Sequence, residues 1–182
     1  MARFYPALEE KHVAFIAAQK IFFTATGTAE SRLNLSPKGM DSLRVLSERR
    51  VAYLDLTGSG AETIAHLREN GRIVFMFCAL SGPPKIVRFH GRGEALTPQS
   101  PQWPELLALF PEYAGARSII RAEITRVSDS CGYGVPRYEF VEERDVLLRW
   151  TDTKGVDTLP HYRSQHNARS IDGLPSLDPE QA

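Results

Sequence analysis

Residues 57–71 read TGSGAETIAHLRENG. Gly58 and Gly60 flank Ser59 just before a run in which Ile64 and Leu67 recur at helical spacing. Free amides at a helix start, fronted by glycines, can hold phosphate oxygens, because the N–H groups and the macrodipole both favour an anion there. The same residues also suit a merely well-capped helix. Ser59 with Glu62 three residues on has the form of a capping box, and Gly71 supplies a left-handed C-terminal residue. Both readings stand on the residues alone. The stretch is not a Walker A loop, which needs Lys and Ser/Thr after its second glycine, where this chain has Ala61 and Glu62. Nor is it a dinucleotide fingerprint, which belongs to a parallel sheet.

The remaining reactive side chains do not assemble a catalytic pattern. His66 follows Glu62 by four residues, which predicts a pair on an exposed helix face. His12, His161 and His166 lack metal-type spacing with carboxylates, and no Gly-x-Ser-x-Gly elbow or Ser/His/Asp order occurs. Cys78 lies in the apolar run IVFMFCAL and reads as a buried small hydrophobe. Cys131 lies in the turn-rich SDSCGYG. Two such cysteines make neither a disulfide scaffold nor a zinc site.

Charge narrows the partners. The 182 residues hold 22 basic and 22 acidic side chains, so no global field draws nucleic acid or anionic lipid. Only five of the basic residues are lysine; the seventeen arginines suit bidentate grip of carboxylate or phosphate. No signal peptide is apparent, and no apolar stretch nears the ~20 residues of a membrane helix. The expectation is a soluble, cytoplasmic protein of a reducing compartment.

The elements that would position these groups are mostly strands. EEKHVAFIAAQK puts Val13, Ile16 and Ala17 on one helical face. KIFFTATGT and SRLNLSPKG read as a hairpin with Gly27–Ser31 as its loop. SLRVLSERRVAYLDL reads as two strands or one bent strand. After the helix from about Gly60 to Asn70, RIVFMFCAL is apolar on both faces and predicts a central strand. KIVRFHGRGEAL alternates cleanly; Arg88, His90, Arg92 and Glu94 share one polar face, and the paired Gly91 and Gly93 predict a bend or a close approach. PQWPELLALF predicts a short helix, ARSIIRAEITRVS a long strand and RYEFV a short one. From residue 142 two helices are expected, the first closed by Gly155 and the second capped by Asp157, then a turn-rich tail fraying at its end. Close-spaced strands with one inserted helix predict a small antiparallel β-barrel or sandwich with accessory helices.

Within that frame, VAYLDLTGSGAETIAHLRENGRIVFMF, PPKIVRFHGRGEAL, the hairpin FFTATGT…LNLSPKG and the tail NARSIDGLP resemble the pyridoxamine 5'-phosphate oxidase-like, FMN-binding split-barrel family. The resemblance spans roughly residues 10–175. It implies a single split-barrel domain over 1–182, with the barrel at about 20–141 and a C-terminal helical segment at about 142–175. It also implies a homodimer with the cofactor between subunits, FMN as that cofactor, and redox chemistry on a small molecule. Relatives of the fold that use the deazaflavin F420 or haem supply alternatives, as does a barrel that only carries or senses flavin or serves as an interaction module. The implied cofactor residues are Ser59, Gly60 and Thr63 at the loop, Lys38 and Arg44 as phosphate cations, and Lys85 near the ring. Characterised oxidases carry an Arg-Lys pair after the loop serine; here Gly60-Ala61-Glu62-Thr63 stands there.

Overall fold

The computed structural model describes residues 2–155 and 157–178. Its strands are β1 (Arg3–Tyr5), β2 (Phe22–Thr26), β3 (Asn34–Lys38), β4 (Leu43–Ser47), β5 (Arg50–Leu56), β6 (Arg72–Cys78), β7 (Ile86–Leu96) and β8 (Ala116–Ser130). The helices are α1 (Glu10–Ala17), α2 (Glu62–Asn70), α3 (Trp103–Leu107), α4 (Val146–Lys154) and α5 (Leu159–His166). All strand pairings are antiparallel, in the order β3-β2-β6-β7-β8-β5-β4, with β1 added on β8. The ends of this path, β3 and β4, are consecutive in sequence but not hydrogen-bonded to each other. The sheet is therefore an open, split barrel with its seam between them.

Alternation decides which side chains fill the barrel. Phe22, Tyr53, Phe75, Phe77 and Phe89 are all buried and meet edge-on, tilted or stacked at 5.1–6.4 Å between ring centroids. Ile64 and Leu67 of α2 join this core, so the helix plugs the barrel where it contacts β2, β6 and β7. A second cluster joins the other face of β5 and β8 to α3 through Leu54, Leu96, Trp103, Phe110 and Ile119. β6, expected to be central, runs between β2 and β7. The expected bend in β7 is real. The register with β8 shifts between His90 and Gly91, where an added Cβ would lie 2.2 Å from the Glu123 carbonyl oxygen.

Several local expectations change. Of the two readings of SLRVLSERRVAYLDL, the two-strand one holds: β4 and β5 pair as a hairpin. RYEFV is not a strand: residues 137–141 have no ladder partner, and the Tyr138 amide donates to Leu80 O at 2.8 Å. Its run of Tyr, Phe and Val has strand composition but enters no ladder. The N-cap of α5 is Thr158, not Asp157. The tail is packed as far as Leu177, which is 1% exposed; its last four residues, where fraying is expected, lie outside the described residues. Strand β1, too short for a periodic signal, was not legible. Gly155 does close α4.

Candidate functional site

The glycine-serine loop leaves β5 through a buried polar cluster. Asp55 is 2% exposed and accepts from Arg117 Nε at 2.8 Å and Ser118 Oγ at 3.1 Å, with Lys38 Nζ at 3.4 Å. Burial alone would raise the Asp55 carboxyl, but the Arg117 guanidinium, the Lys38 ammonium and these hydrogen bonds together hold it below the usual carboxylate value. Arg117 Nη1 donates to Asn167 Oδ1 at 2.8 Å, and Asn167 Nδ2 donates to Gly58 O at 3.0 Å. Arg163 Nε donates to Thr57 Oγ1 at 2.9 Å. Helix α5 and the residue after it thus fasten the loop at Thr57 and Gly58. Burial and the neighbouring Arg117 charge push the Arg163 guanidinium below its ordinary value.

The capping box is not formed. Helix α2 starts at Glu62 with Ala61 as N-cap and no side-chain cap. Instead the tail folds over the helix start. Ser176 Oγ donates to Ala61 O at 2.9 Å, and the Ile171 amide donates to a Glu62 carboxylate oxygen at 3.2 Å. Glu62 bends back over Gly60 so closely that a Cβ there would lie 2.3 Å from Oε2. The helix start is therefore covered by this chain's own Glu62 and tail, and Ala61 is 2% exposed. The expectation of an open helix end is corrected to a cleft beside it. Gly71, at φ 69°, closes the helix as expected.

That cleft measures about 590 Å³ and is bordered by Ser59, Gly60 and Glu62, by Arg32–Leu35 at the start of β3, and by His166 and Arg169–Ile171. Arg32 pairs with Asp172, whose carboxyl this contact and the Arg32 amide hold below its ordinary value. Arg169 forms no ion pair among the described residues and donates to Gly173 O at 2.9 Å. Thr63 lies one turn inside, accepting from Asn34 Nδ2 at 3.0 Å. Asn34 Nδ2 also lies 3.1 Å from Thr26 Oγ1, which in turn shares a hydrogen bond with His66 Nδ1 at 3.0 Å. His66 is fully buried, so the predicted exposed pair with Glu62 does not exist. The helix rotates its Glu62–His66 face onto β2 and the tail, not toward solvent.

Of the residues expected to hold a cofactor, the structure places Ser59 and Gly60 at this cleft, with Thr63 buried behind Asn34, which lines it. It holds the three cations elsewhere in the subunit. Lys38 faces Asp55 and lies 5.5 Å from the Tyr53 ring centroid. Arg44 chelates Asp41 at 2.9 Å and donates to Leu109 O at 2.6 Å. Lys85 stands 3.9 Å from Asp129 and 5.1 Å from the Phe15 ring centroid. The cations that do border the cleft, Arg32 and Arg169, were missed. Arg169 lies over a hundred residues from the loop, and the only signal for it was the tail NARSIDGLP.

An open antiparallel barrel, split at one seam, with a helix inserted after a glycine-serine loop and a cleft at that helix, defines the split-barrel class. Residues 8–131 match the model of the pyridoxamine 5'-phosphate oxidase family. The chain belongs to that family. It is 35% identical over 197 aligned positions to the pyridoxamine 5'-phosphate oxidase family protein ustO of Aspergillus flavus, covering 97% of this chain and 78% of that one. Among solved structures, the HupZ protein of Group A Streptococcus aligns with TM-score 0.53 at 18% identity, over 66% of this chain and 91% of that one. A Clostridium acetobutylicum protein related to general stress protein 26, of the pyridoxinephosphate oxidase family, aligns with TM-score 0.52 at 11% identity, over 66% and 86%. These two likenesses bear on the fold alone. Among the described residues no helix is long and apolar enough to cross a membrane, and no His/Cys/Asp/Glu group could hold a metal ion.

Proposed function

We propose that this chain binds FMN in the cleft beside α2 and acts as a flavin-dependent oxidoreductase on a small molecule. The observation that carries the reading is the cleft itself: about 590 Å³, at the glycine-serine loop, with two guanidinium groups on its walls. Its size falls within the roughly 300–1,000 Å³ of ligand pockets. The residues suit a phosphate in an unusual way. Glu62 borders the cleft at the helix start and accepts from the Ile171 amide, so the anion grip falls to Arg32 and Arg169, with the Ser59 hydroxyl beside them. A phosphate reaching Arg32 would compete with Asp172 for it. Bound here, FMN would supply electron-pair transfer at its ring; the chain's part is to bind, orient and shield it. Asn34, tied to Thr26 and Thr63, holds the start of β3 as a rigid wall.

A second copy of the chain would complete the site. Leu33, Leu35 and Ile171 are 86%, 67% and 71% exposed around the cleft. Three large apolar side chains on one rim favour burial against a partner.

The test is titration of flavin-stripped protein with FMN, followed by quenching of flavin fluorescence, alongside mass analysis of any chromophore extracted from the purified protein. Micromolar binding is expected. Arg32→Ala with Arg169→Ala should weaken it by at least ~10-fold, since each charge-assisted hydrogen bond contributes about 1.5–3 kcal/mol. Colourless protein that leaves FMN fluorescence unchanged at micromolar concentration refutes the reading; an extracted haem or deazaflavin replaces the cofactor. Light scattering in solution reads the dimer directly.

A further inference from the structure

A second and larger cavity, about 720 Å³, opens at the other end of β3. One wall belongs to the barrel: Ile21, Pro37, Met40 and Leu80. The other is built from Phe140, Leu147 and Trp150 in the segment after β8. That segment lies beyond the residues matched by the family model, which ends at 131. It is pinned to the barrel by the Tyr138 amide.

The lip of the cavity is strained. Met40 and Asp41 hold φ of 62° and 52°, a left-handed conformation that side chains with a Cβ adopt at a cost. Neighbours enforce it. Tyr113 Oη donates to Met40 O at 3.0 Å, and Ser42 Oγ donates to Gly39 O at 2.6 Å. Strain that surrounding contacts over-determine tends to accompany ligand clamps. Phe140 and Tyr138 remain 51% and 64% exposed, so aromatic surface is presented and left uncovered.

Charge selects the ligand. Glu139, Glu142 and Glu143 border the cavity and form no ion pair among the described residues. Of the three cations bordering it, Lys38 faces the buried Asp55. The ammonium of Lys20 already rests 5.4 Å from the Phe140 ring centroid, which shows that this ring face accepts a cation. Arg144 is the third. With Lys38 turned to Asp55, the three carboxylates and the two cations Lys20 and Arg144 are the charged groups on this border that form no ion pair among the described residues. We propose that this cavity binds a flat aromatic molecule carrying an ammonium group, its ring between Phe140 and Trp150 and its charge toward Glu142 and Glu143. Four residue steps of ~3.3 Å along β3 separate Asn34 at the cleft from Lys38 at the cavity, so binding here requires no flavin in the cleft.

The experiment is calorimetric titration of flavin-free, full-length protein with phenethylamine, with 3-phenylpropionate as the anion of the same ring and similar length. Phenethylamine should bind at one site per chain with a dissociation constant of about 1 mM or lower, as its few heavy atoms allow. The acid should bind at least ~5-fold more weakly. Glu142→Gln with Glu143→Gln should cut amine affinity ~5–10-fold and narrow that preference. Ala18→Trp, at an exposed position on the cavity's border, should abolish binding without lowering the melting temperature. Equal binding of amine and acid, binding indifferent to Ala18→Trp, or no heat at 10-fold higher concentration (about 10 mM) overturns the proposal. Because FMN is absent throughout, none of these results bears on the cleft.

Discussion

Replacing Arg117 with methionine tests the polar cluster that fastens the candidate cleft. The wild-type guanidinium donates to Asp55 and Asn167, each at 2.8 Å, with Arg117 5% exposed and Asp55 2% exposed. Methionine fills a similar volume but leaves a buried carboxylate short of its main partner, and breaking a buried pair this way costs about 3–5 kcal/mol. Lys38 at 3.4 Å and Ser118 at 3.1 Å remain, which places the expected loss near the lower end, about 3 kcal/mol. For a chain of this size each kcal/mol lowers the melting temperature by roughly 2–4 °C, so a fall of about 6–12 °C is expected by calorimetry at pH 7. Adding Asp55→Asn removes the stranded charge and should recover about half of that loss, because the two sites act as one unit. A single variant that melts within about 2 °C of wild type, or a double variant less stable than the single, refutes the account of this cluster.

Lys38→Ala with Arg44→Ala should leave FMN affinity unchanged within about 2-fold and lower stability instead, since these cations are held by Asp55 and Asp41 rather than the cleft; a flavin titration and a melt separate the two effects. Gly91→Ala should destabilise by about 1–3 kcal/mol or more, because its methyl would meet the Glu123 carbonyl oxygen at 2.2 Å, whereas Gly134→Ala, with nothing within 4 Å, should stay within about 0.5 kcal/mol in urea melts. Asp55 is held below its ordinary value of 3.8, so its stabilising contribution is complete above that pH and is lost as the pH falls from there through the lower native value. Acid unfolding of Asp55→Asn should accordingly be flatter than wild type below pH 3.8, and parallel curves would contradict this.

Most strands were legible because one face of each is buried and alternation records it, as in β7, where Val87 and Phe89 are fully buried beside half-exposed Arg88 and exposed His90. The bend at Gly91 was legible for the same reason: only glycine tolerates backbone at that distance. RYEFV failed as a strand because strand composition does not by itself supply a ladder partner, and residues 137–141 have none. His66 was misread because helical spacing tells which residues share a face, not which neighbour covers that face.

The candidate site divides in the same way. Its loop is local in the chain, and Ser59, Gly60 and the left-handed Gly71 follow from residue type alone. Its charges are not local. Glu62 turns toward Gly60 because the Ile171 amide lies near it; Arg169 borders the cleft because Asn167 binds Gly58; Lys38 and Arg44 are occupied because Asp55 and Asp41 lie beside them. Sequence set the alternation, the turns and the glycines, since these depend on dihedral preference and neighbours a few residues away. Which ionic partner each side chain takes depends on long-range closure of the chain, and only the folded arrangement supplies that.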